Sequence, residues 1–355
     1  MTITENSPIN KVIPVQQGER FSQMSIAKKL AYGAGICAME FLSLSASLTF
    51  LAAGVTAATA AIFVAGASLC FCNTAKAKNW ADYSVGFLNE GLALALCPLL
   101  YWIPVTWFDP IAKDISPEHK KNTPVLLVHG YLHNSSCWHI FKKELLKDNP
   151  DRLVFTIDLG AMPFNKSIDG TYQDRMAEKI AEIKSLTGSN SIHLVGHSMG
   201  GMVSAVYACN EAEKEDGVKV ESVVTIGSPL EGTPVGQIAF EPLAKAMRTD
   251  SPLVSGTYHT FELGKYTVRT YVKESMGDRI GNIRDHVNFF HFGTTSDEFV
   301  PHPDSTICAK AKKKADPKSY KIVIQQAHVS MVFAPEVIKG TIAHINETKK
   351  APDVI

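Results

Sequence analysis

Residues 196–200 read Gly-His-Ser-Met-Gly. The serine is framed by a glycine on each side. An apolar run directly precedes it and a helical pattern directly follows. That context suits one chemistry: a hydroxyl presented as a nucleophile on a sharp strand-to-helix turn. Side chains at Gly196 and Gly200 would collide with neighbouring backbone in such a turn. The helix N-terminus beneath favours negative charge near the serine. At ordinary Gly and Ser frequencies, a chain this long holds about 0.1 such pentapeptides by chance. The rest of the chain must therefore supply partners.

A serine hydroxyl is a weak nucleophile until a base takes its proton, and the base must be oriented by a carboxylate. With this turn the expected chain order is serine, acid, histidine, each at the end of a strand. Two downstream loops answer. Residues 287–292 read as a strand, and Gly293-Thr294-Thr295-Ser296-Asp297-Glu298-Phe299-Val300-Pro301 follows. Asp297 is the preferred acid, with Glu298 and Asp304 as rivals. Residues 320–324 read as another strand, followed by Gln325-Gln326-Ala327-His328. His328 is the preferred base, with His291 and His302 as rivals. His193 and His197 lie in or beside the serine's own strand and read as packing residues. The tetrahedral oxyanion needs preorganised N–H donors. The Met199 backbone, directly after Ser198, is one candidate.

The elements that must position these residues alternate. Strands are expected at 124–128, 152–157, 192–195 and 220–226, besides the two above. Helices are expected at 172–186 (Met176, Ile180 and Ile183 on one face), 199–212 (burying Val203, Val206 and Tyr207) and 335–345. Alternation of this kind predicts a parallel sheet with crossover helices. More than fifty residues separate Pro229 from the next sheet strand, too many for a simple connection. Within them, 236–247 carries Ile238, Phe240, Leu243 and Met247 at helical spacing, with Pro242 set to kink or split the helix. Residues 263–273 fit a loose cholesterol-contact pattern, which two overlapping strands would produce equally well.

His129-Gly130 after the first strand, Gly196-His197-Ser198-Met199-Gly200-Gly201, and Gly227-Ser228-Pro229 with Glu231-Gly232-Thr233 resemble bacterial lipases of the α/β-hydrolase fold. The resemblance covers roughly 123–345. It implies an α/β chain: a mostly parallel sheet with flanking helices and a lid or cap at about 230–285. It also implies hydrolysis of carboxylic, lipid-type esters through Ser198, His328 and Asp297, with no cofactor and no metal. In such lipases the second oxyanion donor is the residue after the His-Gly pair, here Tyr131. Thus His129, Gly130, Gly196 and Gly200 are supporting motif residues. An acyltransferase or thioesterase using the same three residues is the alternative within enzymes. A membrane interaction protein with an idle hydrolase-like domain is the alternative outside them.

The N-terminal third stands apart. Residues 1–23 are polar, carry Pro8, Pro14 and Gly18, and read as a mobile tail. Residues 24–110 read as a membrane-associated helical region. No charged residue occurs from 41 to 75, longer than the ~20 apolar residues that cross a bilayer. Small residues fill the run, as where membrane helices pack closely. A second apolar stretch, 91–108, is interrupted by Pro98 and Pro104 and ends with Tyr101, Trp102 and Trp107, as at a membrane interface. A membrane hairpin, or one span plus an interfacial segment, is expected; a buried helical domain is the alternative, since Ala-rich runs are only weakly hydrophobic. Lysines flank both ends of the first run, so sidedness is undetermined. Residues 111–122 are polar and read as a linker before a hydrolase domain at 123–355.

Composition bounds the partners. Thirty-five basic residues balance thirty-five acidic ones, and no basic stripe interleaved with aromatics points to nucleic acid. The expected partners are an acyl-ester substrate and a bilayer. The seven cysteines are odd in number and unclustered, which excludes a disulfide framework and reads as reduced, partly buried thiols.

Overall fold

The computed structural model describes residues 82–86, 88–93, 96, 105–131, 133–160, 166–237, 242–263, 266–301, 303–306 and 319–348. The uncharged run at 41–75 and the tail at 1–23 lie outside the described residues. So do Asp304's side chain and all of His302. Among the described residues, no helix is long and apolar enough to cross a membrane.

Six parallel strands form one sheet: β1 (Val125–Val128), β2 (Val154–Ile157), β3 (Ser191–His197), β4 (Lys219–Ile226), β7 (Asn288–Thr294) and β8 (Tyr320–Val323). Their order is β2-β1-β3-β4-β7-β8. β5 (Thr257–Leu263) and β6 (Tyr266–Lys273) form a separate antiparallel hairpin. The 263–273 pattern is thus met by strands.

β1 shows why the sheet is covered on both faces. Val125, Leu126, Leu127 and Val128 are all fully buried, and alternate side chains enter opposite cores. Leu126 and Val128 pack with Phe155, Leu194 and the helices α2 (Thr171–Thr187) and α3 (Met199–Ala212). Val125 and Leu127 pack with Val224, Phe292 and the helices α1 (His139–Asp148) and α7 (Pro335–Thr348). Met176, Ile180 and Ile183 of α2 line the first core, as their spacing predicts.

The structure adds an element that periodicity does not reveal. α1 buries Phe141 and Leu145, and between them Lys142. The Lys142 ammonium reaches Asp109 at 2.8 Å. A lysine on the core side of a helix conceals its amphipathic pattern. Asp109 also accepts from Thr156 N–H at 3.0 Å and lies 3.3 Å from Lys179. Of the described residues in the 91–108 stretch, Ala93 and Val105 are buried, whereas Leu92, Leu96 and Phe108 are exposed.

Between β4 and β7 the chain runs through a short 3-10 turn (Pro234–Gln237), α4 (Pro242–Ala246), α5 (Pro252–Ser255), the hairpin and α6 (Met276–Ile283). Of the helix expected at 236–247, the described parts are the end of the 3-10 turn at Gln237 and α4. Pro242 lacks the N–H that would continue a preceding helix but fits a first helical position, so α4 starts there.

β1 and β3 lie side by side, yet the chain leaves them toward opposite edges of the sheet: β1 leads to β2, β3 leads to β4. Loops that diverge beyond the carboxyl ends of adjacent parallel strands open a crevice. Ser198 follows β3 there, and His129-Gly130 follows β1.

Candidate active site

Ser198 has φ 55° and ψ −127°, a conformation that costs a non-glycine residue free energy. Surrounding backbone over-determines it. The Ser198 N–H donates to the Ile226 carbonyl at 2.8 Å. A Cβ at Gly196 would fall 2.5 Å from Gly201 Cα, and one at Gly200 would fall 2.5 Å from the His129 carbonyl oxygen and nearer still to that of Val128. Only glycine lets β3, the serine and α3 approach so closely.

Ser198, His328 and Asp297 come together across chain separations of 130 and 31 residues. His328 Nε2 lies 2.9 Å from Ser198 Oγ. His328 Nδ1 lies 2.9 and 3.0 Å from the two Asp297 oxygens. With Nδ1–H donating to the carboxylate, Nε2 carries the lone pair that faces the hydroxyl. Asp297 is itself held: Oδ1 accepts from Phe299 N–H at 2.9 Å and Val300 N–H at 2.7 Å. Burial opposes a charge on His328, but the Asp297 carboxylate beside it, with Glu298 and Glu90 adding, raises its pKa above the ordinary histidine value. This arrangement can pass a hydroxyl proton to an imidazole and stabilise the imidazolium.

Among the rivals, Glu298 does not reach the imidazole. Its carboxylate accepts the His328 backbone N–H at 3.4 Å. Burial and the neighbouring Glu90 push its pKa up to about 8. His291 lies in β7, buried, with Nδ1 2.8 Å from Thr225 Oγ1, and burial and Arg284 push its pKa down to about 3. His193 is buried with Nδ1 2.9 Å from Ser222 Oγ. His197 does more than pack. Its Nε2 lies 3.0 Å from the His328 carbonyl oxygen, and its ring centroid lies 4.9 Å from that of His328. Burial and the His328 charge hold His197 well below the ordinary histidine pKa. A neutral His197 can therefore donate Nε2–H to the carbonyl and steady the base.

The loop after β1 lies against the serine: a Cβ at Gly130 would sit 2.9 Å from Ser198 Cβ. His129 explains its shape. Leu159 N–H donates to His129 Nε2 at 2.9 Å, so the proton sits on Nδ1, which donates to the Gly130 carbonyl at 2.8 Å. Burial lowers His129 to about 4. Turning the Gly130 carbonyl toward His129 leaves the next peptide N–H, that of Tyr131, pointing away from it. Met199 opens α3, where backbone N–H groups have no intrahelical acceptor.

Gly227 joins the two sides. Its φ is 56°, and a Cβ there would sit 3.3 Å from Asp297 Oδ2, 3.4 Å from His328 Nδ1 and 2.7 Å from Met331 Cε. The site opens into a cavity of about 290 Å³ whose described lining includes Tyr131, Ala244, Met247, Phe299 and Val300, with Ser198 and His328 at its wall. Ala244 and Met247 come from the excursion between β4 and β7. No group of three His, Cys, Asp or Glu among the described residues is arranged to hold a metal.

The parallel sheet, its order and the serine turn at the switch point are those of the α/β-hydrolase fold. Residues 123–250 match the family model of the alpha/beta hydrolase fold. It is 31% identical over 121 residues to a proline iminopeptidase of Heyndrickxia coagulans, across 33% of this chain and 39% of that protein. It is 26% identical over 138 residues to a (lyso)-N-acylphosphatidylethanolamine lipase of Mus musculus, across 36% and 37% respectively. The chain thus spans less than two fifths of the length of these curated relatives. Among solved structures, the naproxen esterase (carboxylesterase NP) of Bacillus subtilis has a TM-score of 0.40 and 12% identity, covering 63% of this chain and 84% of that one.

Proposed function

We propose that the chain is a serine hydrolase of carboxylic esters, with lipid esters as substrates and the uncharged run at 41–75 as membrane anchor; residues 82–86, 88–93 and 105–110, expected within the membrane region, pack against the hydrolase instead. The observation that carries this reading is the hydrogen-bonded run Ser198–His328–Asp297, at 2.9 Å on both sides of the imidazole. Ser198 Oγ attacks the acyl carbon while His328 Nε2 takes its proton. The charge that develops on the carbonyl oxygen is met by the Met199 and Tyr131 N–H groups. Collapse breaks the ester C–O bond, and Nε2 returns the proton to the departing alkoxide. Water then cleaves the acyl-enzyme by the same steps in reverse. Asp297 holds the imidazole and its charge throughout. No step calls for a cofactor.

Three features favour an acyl substrate. The cavity wall is mainly apolar. One curated relative is a lipase acting on an acylated phospholipid. The uncharged run at 41–75 would place the site near a bilayer. The excursion at about 230–285 supplies cavity-lining residues and acts as the lid. Another relative is a proline iminopeptidase, so peptide cleavage is the second reading. A substrate with a free α-ammonium calls for a carboxylate in the pocket wall, and none occurs among the described lining residues.

Fluorophosphonate labelling of the full chain in detergent tests the proposal. Labelling of wild type but not of Ser198→Ala is expected; an unlabelled wild type, or equal labelling of the variant, overturns it. Within an ester and amide panel, long-chain p-nitrophenyl esters should turn over fastest. Preference for prolyl amides would establish the peptidase instead. Carbonate extraction should leave the chain in the membrane pellet, and release into the supernatant removes the anchor.

A further inference from the structure

The loop that carries His328 is held from outside the sheet. Residues 82–86 and 88–93 are helical and precede the segment that the family model matches. This helical segment touches both loops on which the base depends. A Cβ at Gly86 would sit 3.2 Å from Ser296 Cβ and 3.3 Å from the Gln326 carbonyl oxygen. Asn89 Nδ2 donates to the Gln325 carbonyl at 2.7 Å, and Gln325 Nε2 donates to Asp82 at 3.0 Å. Glu90, only 4% exposed, goes further. Its Oε1 accepts from Val329 N–H at 2.9 Å and its Oε2 from Ser330 N–H at 2.8 Å. These are the two residues directly after His328. Glu298 hydrogen-bonds Glu90 and accepts the His328 N–H.

Burying a carboxylate is costly unless its oxygens are hydrogen-bonded. Glu90 meets that condition with N–H groups of the base loop itself, and it puts charge where the imidazole responds. The titratable groups facing His328 are Asp297 and Glu298 from the loop after β7 and Glu90 from the helical segment; Glu298, pushed up to about 8, keeps its proton at neutral pH and shares it with Glu90, and His197 faces the base from β3 as a neutral ring. A cap that served only stability would need neither this proximity nor a second carboxylate.

We propose that Glu90 is a positioning residue for His328, so that the segment N-terminal to the hydrolase fold is a working part of the site. It touches no reacting atom and acts through the base. Its two N–H bonds fix the loop, and its hydrogen bond to Glu298 holds that side chain against the base's backbone. The inference deepens the serine hydrolase reading and rests on it.

Full-length Glu90→Gln and Glu90→Ala test it. Glutamine presents only one acceptor oxygen to the two N–H groups and carries no charge. The rate of fluorophosphonate labelling should fall about tenfold, as for a slightly displaced reacting group, with stoichiometry unchanged. The acid limb of the labelling rate should move to lower pH, because an anion that favours the imidazolium has gone. The His328 titration followed by NMR should move the same way. Glu90→Asp, which keeps the anion but draws it back by one methylene from the Val329 and Ser330 N–H groups, should slow labelling with a smaller shift of that titration and serves if the other Glu90 variants do not fold. An unchanged rate and titration in folded Glu90→Gln overturns the proposal. So does a slower rate with an unmoved titration, which leaves Glu90 a structural cap. An unlabelled wild type defeats the serine hydrolase reading, while the NMR titration still decides this one.

Discussion

Two non-glycine residues among those described have positive φ, one in each half of the site: Ser198 at 55° and Gln325 at 60°. In the first half, β1 to β4 and their loops, the strained residue is the nucleophile itself. Glycines and main-chain contacts hold it, with almost no side-chain freedom. In the second half, β7 and β8 with their loops, the strained residue lies three positions before His328. There side chains hold the loops: Asp297 on two N–H groups, Glu90 on two more, Asn89 on the Gln325 carbonyl. A backbone-built half tolerates no added atoms, whereas a carboxylate-built half tolerates shape changes but responds to charge. The segment 123–250, which the family model matches, is the backbone-built half.

Substitutions can break each half in its own way. The largest effect is expected from Asp297→Asn. Its Oδ1 can still accept from Phe299 and Val300, so the fold should persist. Its amide would force the wrong His328 tautomer and slow labelling by about 10⁴-fold, equivalent to about 5.4 kcal/mol. A loss under about tenfold would remove Asp297 from the relay. Gly200→Ala should do the reverse. Its Cβ lands on the Val128 and His129 carbonyls, so stability in urea should fall by about 4 kcal/mol, at the severe end for one substitution. A cost below about 1 kcal/mol would mean that the backbone can give. His129→Ala is intermediate. It leaves the Leu159 N–H and Gly130 carbonyl without their partner, costing about 2–3 kcal/mol, and labelling should slow along with it.

Acid separates the buried packing histidines of both halves from the base. His129 (about 4) and His291 (about 3) have pKa values lowered by burial. Below the unfolded value near 6.5 the unfolded chain takes up protons that the folded chain refuses, so stability falls as pH falls. The expected loss is about 1–2 kcal/mol per histidine between pH 7 and pH 5, read from urea midpoints. His328 has the opposite sign. Its raised pKa contributes stability in acid that is lost as pH rises through the folded value. Over that same rise the base becomes neutral, so labelling should speed up. A labelling limb at or below the ordinary histidine value would contradict the Asp297 contact.

How much of this was legible in the sequence follows the same division. α3 spans 199–212 as its pattern predicts, and β1, β3 and β4 match their apolar runs within a few residues, because backbone-built structure leaves contiguous signals. The order of acid and base was legible too, since each must follow a strand. The choice of Asp297 over Glu298 was a matter of position in a loop. What separates them in the structure is direction: Asp297 faces the imidazole and Glu298 faces Glu90. Glu90 was not legible, because its partners lie 239 and 240 residues away. A lone carboxylate beside an apolar stretch was its only mark. α1 escaped because Lys142, paired with Asp109, occupies a core position that the pattern reads as polar.

Gln325 tests whether the strain in the second half matters. A positive φ costs an ordinary residue roughly 1–2 kcal/mol relative to glycine. Gln325→Gly removes that cost and gives up the exposed bond from Nε2 to Asp82, worth about 0.5 kcal/mol or so at the surface. It retains the main-chain carbonyl to which Asn89 donates. Stability should therefore rise by about 0.5–1 kcal/mol, seen as a higher urea midpoint. If Glu90 and Asn89 hold the loop, labelling should change by less than about threefold, or about 0.65 kcal/mol, since their grip does not depend on the Gln325 side chain. A larger loss would mean that the strained residue itself sets the position of His328. The two halves would then be alike, each storing its geometry in one strained backbone position.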